Sequence, residues 1–180
     1  MTARERILDT ARRLTIEAGS VPSMDVVAVA AGVSKGGFTH HFRTRAALLA
    51  GLAEQSIDSM DAALDAAAAT GDVVRTWLQI SMAREESDLY RALLMSFSEG
   101  GTDTSDLLRR SGEASARWER LLAEELGDPV AGSVVRLLGD GLVMSALTGD
   151  TLPSLEAILG WLDTRRSPER IHERDRGQET

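Results

Sequence analysis

Cysteine is absent from the 180-residue chain, which excludes a disulfide framework and a thiolate metal site. That absence fits a reducing, cytoplasmic location. Lysine occurs once, at Lys35. Aromatics are only 4% of residues and strand-like alternation is scarce. The chain has no unbroken apolar run of about 18 residues and no charged-then-apolar leader, so neither a membrane span nor a signal peptide is expected. Histidine occurs three times, at His40, His41 and His172.

Apolar residues make up 43% of the chain, enough for a sizeable core. Their spacing is helical nearly throughout. Ile7, Leu8, Ala11, Leu14 and Ala18 recur at three- and four-residue steps, and Gly19 follows as a stop. Ser23 caps a short second helix with Met24, Val27, Ala28 and Ala31 on one face. Gly32 breaks it, and Ser34 caps a third helix with Phe38 and Phe42 one turn apart. Thr44 caps a longer fourth helix. Further helices are expected over 72–86, 88–99, 103–126, 129–148 and 153–165, with Pro129 and Pro153 in first turns. The expected fold is therefore all-α, about nine helices. The polar tail 167–180 has nothing to bury and is expected to be disordered.

Charge is unevenly spread. The net charge is −8, yet residues 1–50 carry seven Lys/Arg against four acids, leaving 13 Arg against 24 acids in the rest. A basic end on an acidic body points a polyanion at the N-terminal end.

The densest stretch is A-G-V-S-K-G-G-F-T-H-H-F, Ala31–Phe42. A metal site is disfavoured, because adjacent helical residues point about 100° apart and cannot converge on one ion. A phosphate loop fails on order, since Ser34-Lys35 precedes Gly36-Gly37. Gly32-Val33-Ser34-Lys35-Gly36 matches a serine-nucleophile elbow if 26–30 is a strand. However, His40 and His41 lie on the helix that Ser34 starts, and His172 is in the tail. A helix-turn-helix accounts for the rest. Val33, Phe38 and Phe42 face inward, which leaves Lys35, Gly36, Gly37, Thr39, His40 and His41 outside or at the margin, with donors and no acid.

Residues from about Arg4 to Leu52 resemble the DNA-binding domain of the tetracycline-repressor (TetR) family. The resemblance is carried by R-E-R-I-L-D-T-A-R-R-L at 4–14, E-A-G at 17–19, V-A-V-A-A-G-V-S-K-G-G-F at 27–38, H-H-F at 40–42 and A-L-L at 47–49. It implies a helix-turn-helix head over 1–46 and a divergent helical body over 47–166 that dimerises and holds a small molecule. It also implies phosphate contacts from Lys35, His41 and Arg45, with Ser23 and Ser34 at helix starts suited to the backbone. Thr39 stands where the family usually has a tyrosine that reaches a phosphate, and threonine is much shorter. Base reading would fall to Gly36, Gly37 and His40, and the two glycines supply no side-chain code.

In the body, Gly139 and Gly141 interrupt a helix at about 1 kcal/mol each relative to alanine, which close packing of a partner helix would offset. The expected dimer face is Leu138, Gly141, Leu142, Ser145, Leu155, Ile158, Leu159, Trp161 and Leu162. Trp77, Tyr90, Met95, Phe97, Trp118 and Met144 are candidate pocket residues, since Met and aromatics suit an adaptable apolar site. The expected function is a cytoplasmic, homodimeric, ligand-responsive transcriptional regulator, with no enzymatic activity, cofactor or metal. Its partners would be an operator duplex and a small apolar effector that releases a repressor. The alternatives are an activator of the same fold and a serine hydrolase using the Gly32-Ser34-Gly36 turn.

Overall fold

The computed structural model describes residues 1–99 and 104–166. Among the described residues there are nine helices and no strand. They are α1 (Ala3–Ala18), α2 (Met24–Ala30), α3 (Lys35–His41), α4 (Arg45–Ala68), α5 (Val73–Met82), α6 (Arg84–Glu99), α7 (Ser105–Leu126), α8 (Pro129–Thr148) and α9 (Leu155–Arg166). The tail 167–180 and the Gly100-Gly101 break lie outside the described residues.

Capping explains most boundaries. Thr2 and Glu5 form a reciprocal capping box on α1. The Thr2 backbone N–H holds the Glu5 carboxyl below the usual carboxylate range. Ser23, Ser34 and Thr44 accept backbone N–H groups from Val26, Gly37 and Ala47, as their positions predict. Gly32 has φ +64° at the turn between α2 and α3, a conformation that side chains resist.

Two boundaries differ from expectation. The α5–α6 break falls at Ala83, whose backbone is extended, and not at Ser87-Asp88. α5 buries Val74, Trp77 and Leu78 in one core, whereas α6 buries Leu89, Ala92 and Leu93 in another. The chain changes partner there with no glycine or proline to mark it. Pro153 sits outside α9 and not in its first turn, because Ser154 provides the cap by accepting the Ala157 N–H at 3.2 Å.

The molecule has two cores. The N-terminal one joins Ile7, Leu8, Val27, Phe38, Phe42, Leu48 and Leu52. Leu89, Ala92 and Leu93 of α6 complete it, so a body helix finishes the head. The second core holds Leu64, Trp77, Leu78, Trp118, Leu122, Val135 and Leu142. Helix α4 supplies both and crosses the 46/47 boundary unbroken.

Polar seams reinforce the body. Asp58, Asp61 and Asp65 on α4 meet Arg110 and Arg117 on α7. Glu119 accepts from Ser133 and Arg136 of α8, which hold its carboxyl below the usual range. Arg75 of α5 pairs with Glu156 of α9 at 2.8 Å. By length and composition α8 is apolar enough to cross a membrane. Here one side of it packs into the second core through Val135, Gly139 and Leu142, and Arg136 pairs with Glu119 and Asp140.

Gly139 is explained within the chain and not by a partner helix. A Cβ there would lie 2.2 Å from Trp77 Nε1 and 2.6 Å from Ser81 Oγ. The same indole donates to the Val135 carbonyl at 3.0 Å, so it has little freedom to retreat. Gly139→Ala is therefore expected to destabilise the protein by about 2 kcal/mol in denaturant unfolding. Gly112→Ala, where a Cβ meets nothing within 4 Å, is expected to stabilise it by up to about 1 kcal/mol.

Candidate nucleic-acid interface

Helix α3 is seven residues long and contains two glycines, so propensity alone would not hold it. Tertiary packing holds it instead. Phe38 and Phe42 are each 2% exposed, with ring centroids 5.9 Å apart. Ser34 caps one end and Phe42 closes the other by donating its N–H to the Phe38 carbonyl. The opposite side is polar and open. Lys35, Gly36, Thr39 and His40 are exposed, while Gly37 and His41 are half-buried. The two imidazoles meet edge to face at 5.2 Å. Gly36 has nothing near it, which leaves a bare patch on the outer face.

Of the expected residues, Lys35, Gly36, Thr39 and His40 share the open side of α3, with Gly37 and His41 at its margin, while Ser23 caps α2 and Arg45 begins α4. The Thr39 hydroxyl donates to the Lys35 and Gly36 carbonyls at 3.0 and 3.2 Å, so its only proton is engaged within α3. Arg45 donates to the Pro22 and Val21 carbonyls at 2.8 and 2.9 Å. That fork ties the start of α4 to the segment before Ser23 and fixes how α2 enters. Lys35 lies 3.6 Å from Asp25, the acidic residue in the first turn of α2. The two are ten positions apart on separate helices, and only the α2–α3 crossing brings them together. A groove of about 220 Å³ between the helices is lined by Met24, Asp25, Ala28, Lys35, Phe38 and Thr39.

The hydrolase geometry is not met. Residues 26–30 lie in helix α2 and not in a strand, and Ser34 Oγ is the α3 cap. Among the described residues no three or more His, Asp or Glu lie close enough together to hold a metal ion.

The six candidate pocket residues are not gathered. Trp77 and Trp118 pack together in the second core, with centroids 5.7 Å apart and the Trp118 indole donating to Asp61. Phe97 packs against the head core, and Tyr90, Met95 and Met144 are exposed. The dimer candidates also separate. Leu142 and Ile158 are inside the chain's own core, and Leu138, Leu155, Leu159 and Leu162 pack against it. Ser145 is half-buried, and only Gly141 and Trp161 are exposed. The outward stripe of α8 is instead Val130, Val134, Leu137, Gly141 and Met144, at steps of four, three, four and three.

Head and body are joined by charge as well as apolar packing. The Arg12 guanidinium of α1 donates to Ser56 Oγ of α4 at 3.0 Å and pairs with Glu86 of α6.

A short polar helix, capped at one end and anchored by two aromatics over an all-helical body, defines a helix-turn-helix DNA-binding regulator. Residues 7–52 match the family described as "Bacterial regulatory proteins, tetR family", and residues 71–158 match "Tetracyclin repressor-like, C-terminal domain". The chain belongs to the TetR family. It is 28% identical to the HTH-type transcriptional repressor Rv1474c of Mycobacterium tuberculosis, over 91% of this chain and 94% of that one. It shares its fold with a TetR-family member from Streptomyces coelicolor A3, at a TM-score of 0.65 and 24% identity, over 93% and 99% of the two chains. The multidrug binding protein EbrR, solved with imidazole, is also similar, at a TM-score of 0.56 and 25% identity, over 93% and 96%.

Arg45→Ala should lower head stability by about 1 kcal/mol, because two charge-assisted hydrogen bonds to the 21–22 segment are lost from a partly exposed site. If Arg45 also touches a phosphate, the salt dependence of DNA binding should fall by about one charge. Affinity titrations at several salt concentrations separate positioning from contact.

Proposed function

We propose that the protein is a homodimeric, cytoplasmic repressor whose heads, about residues 1–46, enter successive major grooves of a near-palindromic operator. The observation that carries this is the outer face of α3, where exposed donors stand on a helix held from behind by Phe38 and Phe42. In this reading Lys35 and His40 face base edges or phosphates, His41 lies at the margin, and Gly36-Gly37 allow close backbone approach. Ser23 and Ser34 start the helices that meet the DNA. The repressor sense is supported by the mycobacterial relative, itself a transcriptional repressor.

Dimerisation would use the body, residues 47–166. The body exposes the apolar stripe of α8, and on α9 it exposes Gly160 and Trp161. Pairing two such faces around a twofold axis buries this stripe in a four-helix bundle. Gly141 fits that role, since nothing in its own chain approaches it.

A small apolar effector, as the name of EbrR suggests, would act through the body. Helix α6 is the route. It leaves Tyr90, Leu94 and Met95 exposed on one side and supplies Leu89, Ala92, Leu93 and Glu86 to the head seam on the other. A ligand that favours a displaced α6 shifts the head with it, to the extent of its affinity difference between the two states.

Titration of the purified protein with a fluorescent operator fragment should show salt-sensitive, sequence-selective binding without ester turnover. Leu137→Glu, at an exposed site, should halve the mass in sedimentation and lower operator affinity by about 100-fold, as two linked heads become one. A full-mass variant with unchanged affinity would remove α8 from the interface. A reporter gene behind the operator decides repression against activation.

A further inference from the structure

The DNA-facing side of the head carries one carboxylate that the reading above leaves without a role. Asp25 and Lys35 have side chains 79% and 83% exposed, and their charged ends are 3.6 Å apart. An ion pair that open to water adds little to stability. The α2 cap is already supplied by Ser23, and the first-turn position of Asp25 adds only a weak, solvent-screened interaction with the helix dipole. A carboxylate here also opposes the approach of a polyanion, so it lowers affinity for DNA in general. Meanwhile α3 itself offers few side chains to read bases beyond Lys35 and His40. Gly36 and Gly37 have no side chains, and the Thr39 proton is spent inside the helix. Asp25 and Lys35 line the same groove as Thr39, on the outward side of the α2–α3 crossing.

We propose that Asp25 is a specificity-determining residue, which with Lys35 reads a G·C step in the major groove. This rests on α3 being the helix that enters that groove. A carboxylate can only accept, and the cytosine N4 amino group only donates. Adenine also donates from N6, but its neighbouring N7 is an acceptor and repels a carboxylate. An ammonium can only donate, and guanine presents O6 and N7, both acceptors. The separation of the two charged ends is close to the ~3.4 Å rise between stacked base pairs, so both can engage one pair or two neighbours. At the matching sequence the carboxylate finds a donor. At guanine or thymine it faces acceptors, and at adenine the N6 donor comes with the N7 acceptor beside it, which disfavours wrong sites.

The test is selection of bound sequences from a random DNA pool by the full-length dimer, as wild type, Asp25→Asn, Asp25→Ala and Lys35→Ala. Wild type should enrich cytosine at one position of each half-site by about fivefold or more, with guanine opposite or adjacent. Asp25→Ala should lose the cytosine preference while binding scrambled DNA more tightly. Asp25→Asn, nearly isosteric, should move the preference towards adenine, which presents the donor and acceptor that an amide matches. Lys35→Ala should lose the guanine. Variants that enrich the wild-type motif unchanged, with affinity lowered equally for all sequences, would make Asp25 structural and overturn the proposal. A wild-type protein that enriches no motif would overturn the DNA-binding reading itself, and this inference with it.

Discussion

The anchoring of Phe38 and Phe42 is the constraint on which the rest depends. Helix α3 is too short and too rich in glycine to stand alone. It exists because two rings are driven into a core built by α1, α2, α4 and α6. Once they are seated, the geometry of a helix dictates that Lys35, Gly36, Thr39 and His40 face the other way. The polar outer surface is thus a consequence of burial on the opposite side. Its orientation is only as stable as the core beneath it.

That core is not the head's alone. Three of its buried residues come from α6, and Arg12, Ser56 and Glu86 add a polar tie across the same seam. Packed interiors do not deform continuously, so the position of the head is tied to that of α6. The strongly acidic composition of the body also finds a structural use. Asp58, Asp61, Asp65, Glu119 and Glu156 each face an arginine on another helix. These pairs fix helix register more than they add stability, since most are partly exposed.

The head was legible because its signals are local. A cap serine, a turn glycine and two aromatics one turn apart lie within a dozen residues, and each acts on its neighbours. The α5–α6 break was not legible, because Ala83 carries no breaker and the change there is one of packing partner. Gly139 signalled a close approach but not whose, and the indole of Trp77 took the place expected of a second chain. The residues of the expected dimer face divide between inward and outward sides for a related reason. An apolar helix such as α8 offers several faces, and the side that meets its own core had to be settled before the outward stripe could be seen.

Local chemistry therefore determined the helices, their caps, the polar outer side of α3 and the family. Tertiary packing decided which side of each body helix is inward, that α6 completes the head, that Arg45 clamps the segment before α2, and that Asp25 stands beside Lys35. The division has one physical cause. Caps, turns and periodicity are interactions within a few residues, which a linear chain displays directly. The placement of a side chain against a distant helix is a competition among all faces for a limited interior, and that has no counterpart in any short stretch of sequence.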